Sequence, residues 1–176
     1  MLKKYLTVLA ASLLFFPCAA AAESNLNIYD QPRELPSTPI THESGKKLKM
    51  TDFQGDFVIL VIWSRYCAPC VKELDNLQIF ADKVKDDRIR VVLLSKTSEW
   101  NNLDEERRFL KKYDAAGLEI YNDDQGKLAE NLGIFRFPNT VLINTKGQEI
   151  GRIRGSVEWD DPDVIDYIYK LKAQHG

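Results

Sequence analysis

The segment from Phe57 to Trp63 is a continuous run of apolar residues, and it constrains the fold more than any other stretch of the chain. Its β-branched and aromatic side chains are typical of a central strand that is buried on both faces. The pair in Cys67-Ala68-Pro69-Cys70 follows shortly after it, and residues 68–84 carry apolar side chains at helical spacing. A strand, a cysteine pair and a helix in this order predict an α/β fold with the pair at the helix N-terminus.

The remaining pattern predicts a mixed sheet flanked by helices. Residues 40–42 and 46–50 form an expected N-terminal β-hairpin, and a late hairpin is expected around the turn at 144–147. Further strands are predicted at 89–94, 118–121, 140–143 and 149–153, and further helices at 104–113, 127–132 and 163–171. Helices between strands indicate a parallel core, to which the late hairpin adds antiparallel strands.

A length of 176 residues favours one domain, which we place at residues 39–176. Residues 23–38 are polar and contain Pro32 and Pro36, so they are predicted to be a flexible leader. Residues 1–22 resemble a secretory signal peptide: Lys3 and Lys4 precede an apolar stretch, and small residues end at Ala22, the expected cleavage site. An uncleaved membrane anchor is the alternative, and the short apolar run argues against it. The protein is therefore expected to be exported to the periplasm.

The three cysteines are informative because of where they lie. Cys18 would leave with the signal peptide, and bulky Phe16 and Pro17 argue against a lipid anchor on it. Cys67 and Cys70 would then be the only cysteines of the mature protein. A pair this close closes too short a loop to stabilise a fold substantially, so in an exported protein it favours redox chemistry.

The helix that follows Cys67 explains how this chemistry would work. Pro69 suits a first helical turn, where its missing N–H is not needed. Free backbone N–H groups and the helix dipole favour a thiolate on Cys67, the attacking species in disulfide exchange. Cys70 lies one turn further on and is the expected resolving thiol. No cofactor is required, because electrons pass from sulfur to sulfur.

Two metal-binding alternatives compete with this interpretation. A closed zinc site needs four ligands, and the chain offers only His42 and His175 beside the cysteine pair. A copper(I) module would also use soft thiolates, although no His-rich or Met-rich segment lies nearby.

Three segments together resemble the thioredoxin superfamily and, within it, the exported oxidoreductases of the TlpA/ResA/DsbE type. They are Val58–Leu74 with the cysteine pair, Gly133–Thr140 with its Phe-Pro step, and Gly155–Trp159 before the last helix. The resemblance extends over residues 39–171. It implies a thioredoxin-like fold and thiol–disulfide exchange with other proteins.

The resemblance also implies roles for particular residues. Pro138 would be a cis-proline lying against the cysteine pair, and the backbone of Phe137 would present an edge to an incoming polypeptide. An ordinary trans proline is the alternative. Thioredoxin itself has a buried aspartate where this chain has Val61, whereas the TlpA branch has a glutamate one turn after the second cysteine. Here that residue is Glu73, which would move a proton to or from Cys70; a solvated surface glutamate is the alternative.

Substrate contacts are predicted from the residues that flank these motifs. We expect Phe137, Arg136, Tyr66 and Trp63 to bind substrate, and Tyr66 and Phe137 could form an apolar rim with Phe135 or pack among themselves. Arg136 and Arg65 could also approach Cys67 and favour its thiolate, or both could be solvated.

The sequence thus predicts an exported thiol–disulfide oxidoreductase. The resemblance favours a reductant, with cytochrome c maturation as one candidate role, and a net oxidant or isomerase is the alternative. Its expected partners are cysteine-containing exported proteins and a membrane-borne thiol reductant that donates electrons. The formal net charge of −2 provides no basic surplus for binding nucleic acid.

Overall fold

The structure is a computed structural model that describes residues 25–176, so the predicted signal peptide lies outside the described residues. The strands are β1 (Leu26–Arg33), β2 (Ile40–His42), β3 (Lys47–Leu48), β4 (Phe57–Ile62), β5 (Ile89–Lys96), β6 (Ile120–Asp123), β7 (Asn139–Ile143) and β8 (Glu149–Arg154). The helices are α1 (Ala68–Lys72), α2 (Leu74–Val84), α3 (Leu103–Lys112), α4 (Lys127–Asn131) and α5 (Pro162–His175). None of the described helices is long and apolar enough to span a membrane.

One mixed sheet of eight strands, in the order β1-β8-β7-β4-β5-β6-β2-β3, organises the domain. Strands β4, β5 and β6 are parallel, and β4 is antiparallel to β7 on its other side. The short β2–β3 hairpin joins the sheet through β6, and β1 forms the opposite edge on β8. The predicted central mixed sheet is confirmed.

The central strand β4 is buried on both faces because helices cover both sides of the sheet. Phe57, Ile59 and Val61 enter one core, which also contains apolar residues of α2, α3 and α5. Their alternating neighbours enter a second core, which α4 closes with Leu128. This two-sided burial is why the strand is apolar at every position.

The predicted flexible leader at 23–38 is wrong over its middle part. Leu26–Arg33 is an edge strand that pairs antiparallel with β8, in register from Leu26 opposite Ile153. Most of its side chains are exposed or half-buried, since only one edge and one face meet the protein. Only Leu26 and Ile28 alternate toward the core, and the rest of the strand is polar or exposed, so the sequence resembles a polar leader.

Two further boundaries differ from the sequence prediction. The helix predicted over residues 68–84 is divided at Glu73, whose backbone (φ −94°, ψ 0°) ends α1 and precedes α2. The strand predicted at 118–121 lies at Ile120–Asp123. The break at Glu73 is the more important difference, because it turns that side chain toward the protein interior.

Candidate active site

The cysteine pair lies at the start of α1, directly after the central strand. Cys67 is the N-cap residue of the helix, and its Sγ accepts a hydrogen bond from the backbone N–H of Cys70 at 3.3 Å. The two residues form a disulfide with their Cα atoms 5.3 Å apart. Pro69 occupies the first turn of α1, as expected for a residue without an N–H.

The two cysteines differ in accessibility. Cys67 is half-buried, whereas Cys70 is only 1% exposed. An incoming sulfur can therefore reach Cys67 and is screened from Cys70. This asymmetry suits a first attack on or by Cys67, followed by resolution from within the protein.

A buried carboxylate lies at the break between α1 and α2. Glu73 is 3% exposed, and its Oε2 accepts a hydrogen bond from the backbone N–H of Val157 at 2.8 Å. Its Oε1 and the indole Nε1 of Trp159 are buried with no hydrogen-bond partner among the described residues. Burial raises the pKa of Glu73 from 4.5 to about 7, while Val157 and the nearby Trp159 oppose the shift and the charge of Glu158 adds to it.

A proline loop lies at the same end of the sheet as the cysteine pair. The Phe137–Pro138 peptide bond is cis, and the carbonyl of Pro138 accepts a hydrogen bond from the N–H of Gly155 at 3.0 Å. The next residue, Asn139, pairs with Ile62 at the end of β4. Antiparallel pairing therefore brings the proline loop level with the residues that lead from β4 to Cys67.

Exposed aromatic side chains surround this end of the molecule. Tyr66 is 79% exposed, Phe135 75% and Phe137 38%. Within residues 25–176 no ring contact joins these three to one another, so they do not pack among themselves. Arg136 is exposed between the two phenylalanines.

The expectation that Trp63 contacts substrate needs correction. Trp63 is 1% exposed and belongs to the same core as Val61, with its ring 5.9 Å from Trp100 and 6.0 Å from Phe109, measured between centroids. The alternation of β4 continues through this residue and turns the indole inward. Trp63 thus packs in the core beneath the site and contributes to the wall of the neighbouring cavity.

A cavity of about 380 Å³ lies beside the cysteine loop, between the end of β5 and the proline loop. Its walls combine apolar and charged side chains, among them Trp63, Lys96, Glu99, Ile134, Phe135 and Phe137.

Arg65 adopts neither of the two arrangements considered from the sequence. Its Nη1 donates to Oε1 of Glu105 at 2.7 Å and to the backbone carbonyl of Glu99 at 3.1 Å. Its guanidinium carbon also lies 4.4 Å from the ring centroid of Trp100. Sequence analysis missed Glu99 and Glu105, because isolated glutamates in polar segments give no signal of such contacts.

No group of three or more His, Cys, Asp or Glu residues in the described part of the chain is arranged to hold a metal ion.

A disulfide-forming CxxC at the start of a helix, placed after the central strand of a mixed sheet, defines a thioredoxin-like thiol–disulfide oxidoreductase. The relatives named below are oxidoreductases of the same class. The chain belongs to the AhpC/TSA family, whose model matches residues 33–150.

Curated relatives and solved structures agree with this assignment. The chain is 27% identical over 139 residues to thiol-disulfide oxidoreductase ResA of Bacillus thuringiensis subsp. konkukian, covering 79% of this chain and 77% of ResA. It is 28% identical over 149 residues to sporulation thiol-disulfide oxidoreductase A of Bacillus subtilis, covering 83% and 86%. A secreted thiol-disulfide isomerase from Corynebacterium glutamicum has a similar fold, with a TM-score of 0.70 and 21% identity over 90% of this chain and 98% of that one.

Proposed function

We propose that this protein is an exported reductant that passes electrons from its Cys67–Cys70 dithiol to disulfides in other exported proteins. The observation that carries the proposed exchange is the asymmetry of the pair, with Cys67 accessible at a helix N-terminus and Cys70 covered. The direction, as a reductant, is proposed from the resemblance to the TlpA/ResA/DsbE type and not from the geometry of the pair. A helix N-terminus favours the thiolate form of the accessible cysteine.

The exchange would proceed in two balanced steps. The Cys67 thiolate attacks a disulfide sulfur of the client, which forms a mixed disulfide and releases one client thiolate. Cys70 then loses its proton and attacks Sγ of Cys67, which releases the second client thiolate and leaves the Cys67–Cys70 disulfide. Two electrons pass to the client, and a thiol donor must supply two electrons to restore the dithiol.

Glu73 is the proposed acceptor of the Cys70 proton. Its backbone N–H bonds to the Cys70 carbonyl at 3.3 Å, and its buried carboxylate has one oxygen with no partner in the described part of the chain. A pKa near 7 lets the carboxylate accept and release a proton at physiological pH. The carboxylate therefore suits both the resolving step and its reversal.

The client would be bound by the proline loop and the aromatic rim. The backbone before Pro138 would pair with an extended client segment, and Phe137, Tyr66 and Arg136 would contact its side chains. The client class is exported proteins with cysteines, and apocytochrome c is one candidate. The donor would be a membrane-borne thiol carrier, since residues 1–22 indicate export and exported proteins have no access to cytosolic reductants.

Trapping in cells tests the exchange itself. In a Cys70→Ser variant the mixed disulfide on Cys67 cannot be resolved, so clients and donor should accumulate as adducts that reducing agent releases. Cys67→Ser is the matched control and should trap none. The absence of adducts with Cys70→Ser would overturn the proposed exchange.

The direction of electron flow is tested by the reduction potential. Equilibration with glutathione buffers should give a value well below the ~−120 mV of strongly oxidising exported enzymes. In cells the pair should be mainly reduced and should become oxidised when the membrane carrier is deleted. A potential near that of the oxidants, with rapid oxidation of reduced unfolded protein, would assign the opposite direction.

A further inference from the structure

The turn that leads into Cys67 is attached to the segment that follows β5. The hydroxyl of Ser64 donates a hydrogen bond to Oε2 of Glu99 at 2.9 Å, and the backbone N–H of Arg65 donates to the same oxygen at 2.9 Å. Ser64 is only 6% exposed, so its contact with Glu99 is largely shielded from water. Hydrogen bonds to a carboxylate are among the stronger ones in proteins, especially where water is excluded.

Ser64 in turn holds the amides of the two residues before the helix. Its carbonyl accepts a hydrogen bond from the N–H of Cys67 at 3.1 Å, and its hydroxyl oxygen accepts one from the N–H of Tyr66 at 3.2 Å. A shift of Ser64 would therefore shift Cys67, whose Sγ must stay aligned with the N–H of Cys70. One continuous series of hydrogen bonds leads from Glu99 through Ser64 to the backbone N–H of Cys67.

Arg65 provides a second attachment to the same segment. Its guanidinium bonds to the carbonyl of Glu99 and to the carboxylate of Glu105, and it lies over the ring of Trp100. Both residues of the Ser64-Arg65 pair thus bond to Glu99.

We propose that Glu99 is a positioning residue for disulfide exchange, which fixes the Ser64–Cys67 turn and thereby the orientation of the Cys67 sulfur. The inference rests on the proposed function, because it assigns Glu99 a part in the same exchange. Reactive groups lose rate steeply when their orientation is relaxed, even without loss of the fold.

A purely electrostatic role for Glu99 would have the opposite sign. A negative charge close to a thiolate disfavours it, so removal of the charge alone would make Cys67 ionise at lower pH. Loss of positioning would instead weaken the alignment of Sγ with the helix N-terminus and move its ionisation to higher pH.

The test compares two substitutions at this position in the full reduced protein. Glu99→Ala removes the acceptor, whereas Glu99→Gln keeps an oxygen that can accept both hydrogen bonds and removes the charge. Glu130→Ala is the matched control, since Glu130 lies across the same cavity, pairs with Lys127 at 2.9 Å and has no bond to the turn among the described contacts. The measurements are the pH midpoint of Cys67 alkylation, mapped by mass spectrometry, and the rate of exchange with a model disulfide.

Glu99→Ala should raise the alkylation midpoint and slow exchange about tenfold, a loss of the size expected for a relaxed reactive group. Glu99→Gln should stay within about twofold of the unmodified protein, as one hydrogen-bond acceptor is replaced by another. Ser64→Ala should reproduce the Glu99→Ala effect, and the two changes together should add little, because they act on one series of bonds. Ser64→Ala also carries the test if Glu99→Ala does not fold.

An unchanged or lowered midpoint in Glu99→Ala would overturn the inference, and so would a Glu99→Gln variant as impaired as Glu99→Ala. Failure of the proposed function would look different. In that case the Cys70→Ser variant would trap no clients, while the alkylation midpoints, which depend on Cys67 alone, would still be measurable.

Discussion

Two buried glutamates on the same side of the sheet differ in how completely their carboxylate oxygens are hydrogen-bonded. Glu106 on α3 is 1% exposed, and both of its oxygens are bonded, Oε1 to the hydroxyl of Ser95 at 2.7 Å and Oε2 to the amide of Asn122 at 2.9 Å. Glu73 is 3% exposed, but within residues 25–176 its Oε2 accepts one side-chain hydrogen bond and its Oε1 has no partner. Burial raises the pKa of both carboxyls.

The two carboxylates differ in whether an oxygen remains available to accept a proton. Glu106 completes a network in which the indole N–H of Trp100 also bonds to Ser95, so every partner depends on it. Glu73 lies beside the cysteine helix with unused acceptor capacity, which is costly for stability and useful for proton transfer. We therefore interpret Glu106 as structural and Glu73 as chemical. Three predictions test that contrast, and a fourth compares these buried groups with the exposed side of the site.

The largest expected effect is on the pH dependence of stability. Between about pH 4.5 and 7 folded Glu73 keeps a proton that the unfolded chain has lost, so the free energy of unfolding should fall as pH rises through this window and then level off. The full decrease should be up to about 3 kcal/mol. Urea titrations of the oxidised protein between about pH 4 and about pH 8 measure this decrease. The same titrations of Glu73→Gln should lack this part of the slope. An identical slope in Glu73→Gln would mean that the carboxyl is solvated.

The second effect is on the rate of exchange. Glu73→Gln cannot accept the Cys70 proton, so disulfide exchange at neutral pH should slow by about 10²-fold. Stopped-flow reduction of a model disulfide across neutral to alkaline pH measures this loss, which should shrink as pH rises and Cys70 ionises by itself. Glu106→Gln, the matched control, should retain its rate; equal losses in the two variants would remove the distinction.

The third effect is on the free energy of unfolding, where Glu106 is expected to matter more than Glu73. Glu106→Gln places an amide N–H₂ where Ser95 or Asn122 donates, so it should lower the free energy of unfolding by about 2 kcal/mol. Glu73→Gln, studied at pH 8, should be neutral or stabilising, because it removes a buried charge with few partners. Chemical denaturation of both variants measures these changes. A larger decrease in the free energy of unfolding for Glu73→Gln than for Glu106→Gln would contradict the structural role of Glu106.

The smallest effect concerns the exposed side of the site. Phe135→Ala removes a ring that is 75% exposed and should raise KM for a protein client about fivefold, the equivalent of about 1 kcal/mol of aromatic contact. Cys67 alkylation should not change. Tyr167→Ala on α5, another exposed aromatic residue, is the control; an equal effect on KM there would indicate nonspecific contacts.

The local part of this architecture could be predicted from the sequence. The apolar run of β4, the cysteine pair and Pro69 are neighbours in the chain, so period and helix-capping signals suffice to place them. The polar edge strand Leu26–Arg33 could not be predicted in this way. Its backbone hydrogen bonds to β8 hold it in place, and these do not depend on an apolar pattern in its own sequence.

The burial of Glu106 and Glu73 could not be predicted from sequence patterns. The charged stretch around Glu106 predicts a solvated helix face, and this is wrong for Glu106, whose partners come from β5 and β6. The burial of Glu73 likewise depends on Val157 and Trp159, distant in the chain. Helical spacing can identify the carboxylate nearest to Cys70, but only the packed structure decides how much water reaches it.

The disulfide links residues only three positions apart, and this short span ties folding to electron transfer in a simple thermodynamic cycle. Closing so small a ring restricts the unfolded chain little, so most of any stability gap between the oxidised and reduced forms must arise in the folded state. That gap equals the shift of the reduction potential from the value of an unfolded CxxC segment, at about 30 mV for each 1.4 kcal/mol. Unfolding curves of the two redox forms would therefore measure how strongly the fold itself sets the potential, without any electrode or redox buffer.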